Sequence, residues 1–181
     1  QARLLDVLGL SLAMTDDNDG ADTAFRRELE LWTELGDDGW AANTLGNLAE
    51  VALRQGRLDD AARHQLACLE IARMLGQPLL TAFAIVMAAQ ISARLGRWRD
   101  AMVLQLTADV ALADVGYVMF DTDLQARNAL LENAAERVEP SEEDGTPCAL
   151  PLEAAIDLAA TTLESATRQK EPTCPSPTSA R

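Results

Sequence analysis

A forty-residue step between glycines is the feature that most limits what this chain can become. Gly56 and Gly96 stand 40 residues apart, and Gly36, Gly76 and Gly116 keep the same step. Ala21, Ala61 and Ala101 repeat with it, as do Leu35, Leu75 and Val115. The strings G-R-L-D-D-A at 56–61 and G-R-W-R-D-A at 96–101 match as well. Between the stops, apolar residues recur at helical spacing: Leu45, Leu48, Ala49 and Ala52 before Gly56, then Leu58, Ala61, Ala62, Leu66, Leu69 and Ala72 up to Gly76. Gln65 is the single polar interruption in that second stripe. Two helices joined by a tight glycine turn form a hairpin that cannot bury both its faces alone, so a stack of hairpins is predicted.

The residues Asn47, Leu48, Ala49, Gly56, Leu58, Ala61, Cys68 and Leu69 sit at the spacing of the tetratricopeptide signature, and the stretch 45–76 resembles that repeat. The step is longer than the usual one of roughly 34 residues. The resemblance implies an all-α, right-handed solenoid of helical hairpins with a C-terminal capping helix. Small residues at Ala49, Ala61 and Cys68 suit it, because paired helices approach closely only where side chains are short.

Composition agrees with helices. The chain has 181 residues, 48% hydrophobic but only 4% aromatic, so packing must rest on Leu, Ala and Val. The formal net charge of -14 disfavours nucleic acid and anionic membrane as direct partners. Cys68, Cys148 and Cys174 are odd in number and widely spaced, which points to a reducing, cytoplasmic setting. The longest apolar run, near 79–93, is broken by arginines and does not reach a membrane span. The chain opens without Met inside an apparent helix, so a fragment of something longer is expected.

In order, the units are predicted at about 2–35, 37–75, 77–115 and 119–137, with a closing helix at 152–167. Together they make one domain over 1–168, about three and a half hairpins and a cap. Phe25, Leu29, Trp32 and Leu35 are expected to face inward. The run from Asp16 to Gly20 invites a calcium-loop reading, but the ligand spacing fails, and an N-cap is the better reading. Glu139–Pro151 reads as an exposed acidic loop, and 169–181, rich in Pro, Ser and Thr, as a disordered tail.

No phosphate-binding glycine motif is present, and His64 is the only histidine. It is expected to be a solvated surface residue. Cys68 matches Ala108 at the forty-residue step and reads as inert packing. Asp59/Asp60 and Glu142/Glu143 are adjacent pairs and point apart. The segment is therefore expected to be no enzyme and to carry no cofactor and no metal. Trp98 and Trp32 read as packing residues, whereas Trp40 could equally anchor a partner.

A wider resemblance rests on three strings: Ala101–Gly116, Tyr117–Phe120 and Leu150–Ile156. Their order is similar to the C-terminal helical-repeat region of bacterial signal-transduction ATPases that join a P-loop NTPase to LuxR-type or cyclase domains. It implies a protein-interaction or effector-sensing module within a larger cytoplasmic regulator. A free-standing scaffold and a helical fragment of an enzyme with its active site elsewhere are the alternatives. The tetratricopeptide resemblance places the partner groove on the first helix of each hairpin: Asn43, Asn47, Glu50 and Arg54, then Phe83, Met87, Gln90 and Arg94, then Asp123 and Arg127. Arg54 and Arg94, one step apart, would form a basic ladder for a protein or peptide partner bearing an acidic group or a C-terminal carboxylate. The competing reading is that both neutralise the negative ends of their own helices.

Overall fold

The computed structural model describes residues 1–138 and 146–168. The predicted tail at 169–181, the Glu142/Glu143 pair and Cys174 lie outside the described residues. Those residues form helices only: α1 (Ala2–Met14), α2 (Asn18–Leu35), α3 (Asp38–Arg54), α4 (Leu58–Leu75), α5 (Pro78–Arg94), α6 (Trp98–Asp114), α7 (Asp121–Arg137) and α8 (Leu152–Arg168). The pairs α1/α2, α3/α4 and α5/α6 are the predicted hairpins, and each second helix also packs on the first helix of the next pair. This succession makes an α-helical solenoid.

What stops the helices from α1 to α6 is a residue in left-handed backbone. Gly36, Gly56, Gly76, Gly96 and Gly116 have φ between 57° and 77°, where a Cβ is strained. At Gly56 the chain reverses through a bond from Arg57 N–H to the Ala52 carbonyl, 2.8 Å, and Gly96 repeats it from Arg97 to Ser92, 2.9 Å. The first hairpin turns the same way without glycine. Asp16 occupies that place with φ 61°, one forty-residue step before Gly56, and Asp17 N–H reaches the Leu12 carbonyl. Asp17 then caps α2, its Oδ1 accepting from Gly20 N–H at 3.0 Å.

The core is built from small side chains. Ala42, Ala49, Ala52, Ala61, Ala62, Ala82, Ala88, Ala89 and Ala101 are fully buried, with Leu48, Leu69, Ile85 and Leu104 filling the layers between them. Gln65, the polar interruption, is also buried, and its Nε2 donates to the Ala84 carbonyl of α5 at 2.8 Å. It thus ties unit two to unit three. Leu35 departs from expectation: it is the last residue of α2 and is largely exposed.

The closing helix α8 buries Ala155, Ile156, Ala159, Thr162 and Leu163, as its periodicity predicts. Its seat is on α4, α5 and α6, the flank of units two and three, rather than on the free end of α7. Arg73 of α4 reaches both Glu153 and Asp157 at 3.0 Å, and Leu150 N–H donates to Thr107 Oγ1 at 2.9 Å.

Unit one is closed by a polar–aromatic cluster. Trp32 and Trp40 stack with centroids 5.5 Å apart, and the Arg3 guanidinium lies over Trp40 at 5.0 Å. Trp40 is therefore occupied by the fold. Trp98 is likewise covered by Arg137 at 4.7 Å. Trp32 Nε1 donates to Glu28 Oε1 at 2.8 Å; Glu28 is fully buried, and its other oxygen has no hydrogen-bond partner.

Two outcomes follow. A Cβ at Gly9 would stand 2.5 Å from Cε1 of the buried Phe25 ring. Gly9→Ala should therefore destabilise by roughly 1–2 kcal/mol despite its better helix propensity, read as a lower denaturation midpoint; an unchanged midpoint would contradict the packing. Burial first, then the nearby Asp6 charge, raise the Glu28 carboxyl above its ordinary value, and burial raises Asp6 as well. A raised folded pKa means this contribution is fully present below the unfolded value and is lost as pH climbs through the folded one. Glu28→Gln, which keeps the Trp32 bond without the charge, should raise the melting temperature at neutral pH and flatten its fall from mild acid to neutral; a lower neutral melting temperature would refute this.

Candidate functional site

The first helices of the hairpins, α3 and α5, touch side by side, and α7 follows α5 on the same face. One cavity of about 730 Å³ runs across them. Nine of the ten residues expected to line a groove do line it: Asn43, Asn47, Glu50, Arg54, Phe83, Met87, Gln90, Asp123 and Arg127. Arg94 does not. The cavity crosses the helices at a slant, taking α3 from Ala42 to its last residue, Arg54, α5 from Leu80 only as far as Gln90, one turn short of its end, and α7 only in its N-terminal half. Arg94, the last residue of α5, falls beyond that diagonal and is exposed.

The predicted basic ladder is therefore absent from the cavity. Arg54 pairs with Glu50 one turn back, and its Nη1 donates to the Ala13 carbonyl at 3.0 Å, closing the end of α1 rather than of its own helix. Arg127 is held by Asp109 of α6, with Nε and Nη2 at 2.8 and 2.7 Å from one carboxylate oxygen. The two arginines lining the cavity each have an acid beside them.

Polar capacity comes instead from amides. Asn43, Asn47 and Gln90 line the wall, and their side chains make no hydrogen bond or ion pair within the described residues. The far end is aromatic: Phe83 meets Tyr117 edge to face at 5.0 Å, and Tyr117 meets Phe120, just outside the lining, at 6.5 Å. Tyr117 Oη also lies 3.4 Å from Asp123 Oδ2, and partial burial followed by that acid raises its phenol above the ordinary value.

Several lining residues lie outside the predicted set. Gly46 and Val86 are one forty-residue step apart, beside Asn47 and Met87, and Met14 is one step before Arg54. The repeat contains their signal. Tyr117 and Met119, in the link between α6 and α7, follow no helical period, so no such signal exists for them. A Cβ on Gly46 would meet nothing within 4 Å. The wall there is open.

His64 is not the solvated residue expected. It is half-buried, and burial first, then the Arg26 charge, hold its pKa below the ordinary value, with Asp60 and Asp22 acting in the opposite sense. Asp22 also binds Arg57 at 2.7 Å, joining α2 to the start of α4. Among the described residues no grouping of His, Cys, Asp and Glu could hold a metal ion, and no helix is long and apolar enough to cross a membrane.

A family profile described as Tetratricopeptide repeat matches residues 1–74, which covers α1 to α3 and nearly all of α4. No curated protein and no solved structure matches the chain. The chain thus contains a tetratricopeptide-like helical-repeat region, and the α5/α6 pair continues its geometry beyond the matched residues.

Burial pushes the Cys68 thiol, in the cavity wall, up to about 12. Iodoacetamide at neutral pH should modify the exposed Cys148 readily and Cys68 only after denaturation, as peptide mass mapping would show. Equal rates at both thiols in the native state would mean that the wall opens.

Proposed function

We propose that this chain is a protein-interaction module holding an extended segment of another protein in the groove across α3, α5 and α7. The observation that carries this reading is the set of unengaged amides, Asn43, Asn47 and Gln90, lining a cavity whose arginines are already paired. An amide offers both a donor and an acceptor, which is what an extended peptide backbone presents on its edges. The helical-repeat architecture supports the reading because stacked hairpins leave a long concave surface.

The finer assignment, to the sensing arm of a larger cytoplasmic ATPase-type regulator, rests on the resemblance of the strings at 101–120 and 150–156. Two of those strings meet in space, since Leu150 N–H donates to Thr107 Oγ1. The coding sequence flanking the chain tests it: a P-loop NTPase supports the regulator, and a complete chain without one supports a free-standing scaffold.

The groove itself is tested with a phage-displayed library of random 12-residue peptides selected on the purified chain. Gly46→Leu places a side chain in the open cavity while replacing a glycine inside α3. It should raise folding stability by about 0.8 kcal/mol and lower the affinity of the enriched peptides by tenfold or more. Peptides that bind the variant as well as the parent, or a library that yields no enrichment, would overturn the reading.

A further inference from the structure

Resting on that reading, we infer that the groove selects a peptide with two apolar anchors separated by an uncharged span of about six residues. The argument begins on α1. Val7, Leu10 and Met14 stand one forty-residue step before Asn47, Glu50 and Arg54, so they occupy on α1 the positions that line the groove on α3. Met14 confirms the register, because it lines the same cavity, and the bond from Arg54 to the Ala13 carbonyl pins the end of α1 against α3. These three side chains are 64%, 44% and 85% exposed. The groove face therefore continues onto α1 as an apolar stripe.

Along the groove the chemistry changes twice. The α1 end is apolar, the α3 centre carries the unengaged Asn43 and Asn47 with an internally paired Glu50 and Arg54, and the far end is the Phe83 and Tyr117 pair, with Phe120 edge-on to Tyr117 and the Asp123 carboxylate at the Tyr117 hydroxyl. A charged residue in the middle of a bound segment would find no free opposite charge there, and would have to compete with an existing pair. An uncharged polar span finds the amides. The two apolar ends are separated by two helix-to-helix steps of about 10 Å each. An extended chain at about 3.3 Å per residue covers that distance in roughly six residues.

The test uses fluorescein-labelled synthetic peptides of constant length, each with two Leu-Leu anchors separated by one to nine Ser or Asn residues. Binding is read by fluorescence anisotropy. Affinity should peak at five to seven intervening residues and fall at least tenfold at one or nine. Replacing the central residues by Glu or by Lys should weaken binding in both cases. The exposed-surface variant Val7→Ser/Leu10→Ser/Met14→Ser should cost at least tenfold for two-anchor peptides, and leave a peptide bearing only the anchor for the aromatic end unchanged. Binding that is blocked by Gly46→Leu but is indifferent to the α1 variant and to anchor spacing would overturn this inference and leave the groove reading intact. Absence of binding to every peptide, together with failure of the library selection, would overturn both.

Discussion

A single left-handed residue after each helix from α1 to α6 is what the rest of the molecule hangs on. Placed every twenty residues from Gly36 to Gly116, it stops one helix and aims the next, alternately within a hairpin and between hairpins. A helix stopped one residue later would rotate its apolar stripe by about 100°, turning buried alanines toward water and unseating the neighbour. The alanines then do the complementary work: with side chains this short, adjacent helices close on one another without voids. Turn and contact are thus two halves of one steric specification, and neither suffices alone.

That specification explains which parts of the fold were legible in the residues. Glycine in left-handed backbone and alanine at a helix contact are each demanded by space, so they survive as a visible forty-residue pattern. Asp16 hides the same turn, because aspartate tolerates the conformation that elsewhere calls for glycine. The burial pattern of α8 could be read from its period, yet its seat could not. An amphipathic stripe states that something covers it and is silent about what.

The groove shows the same division. Helix-face register brought nine predicted residues to one cavity, since register follows from the repeat. Arg94 was misplaced because a strict repeat predicts a straight column, whereas the cavity crosses the stack obliquely. The ladder failed for a second reason, as Arg54 turned to the end of a neighbouring helix, a contact 41 residues away in sequence. His64 departs from expectation similarly, and Trp40 is left open by the sequence for the same reason: each sits between units, where partners belong to another hairpin. Electrostatics follows suit. A chain of net charge -14 nevertheless pairs both arginines of its cavity with an acid, and bulk composition says nothing of that.

The seat of α8 has a bearing on how the chain acquires its shape. Hairpins close through neighbours a few tens of residues apart, so the array can assemble progressively from one end. The contacts of Arg73 with Glu153 and Asp157 span some 80 residues and can form only after most of the chain exists. Until then the flank between α4 and α6 presents its apolar surface to water, and loop closure of that length is slow compared with hairpin formation. The last helix is thus a late arrival on an otherwise sequential assembly, and the interval before it docks is when nascent chains of this protein are most exposed to one another.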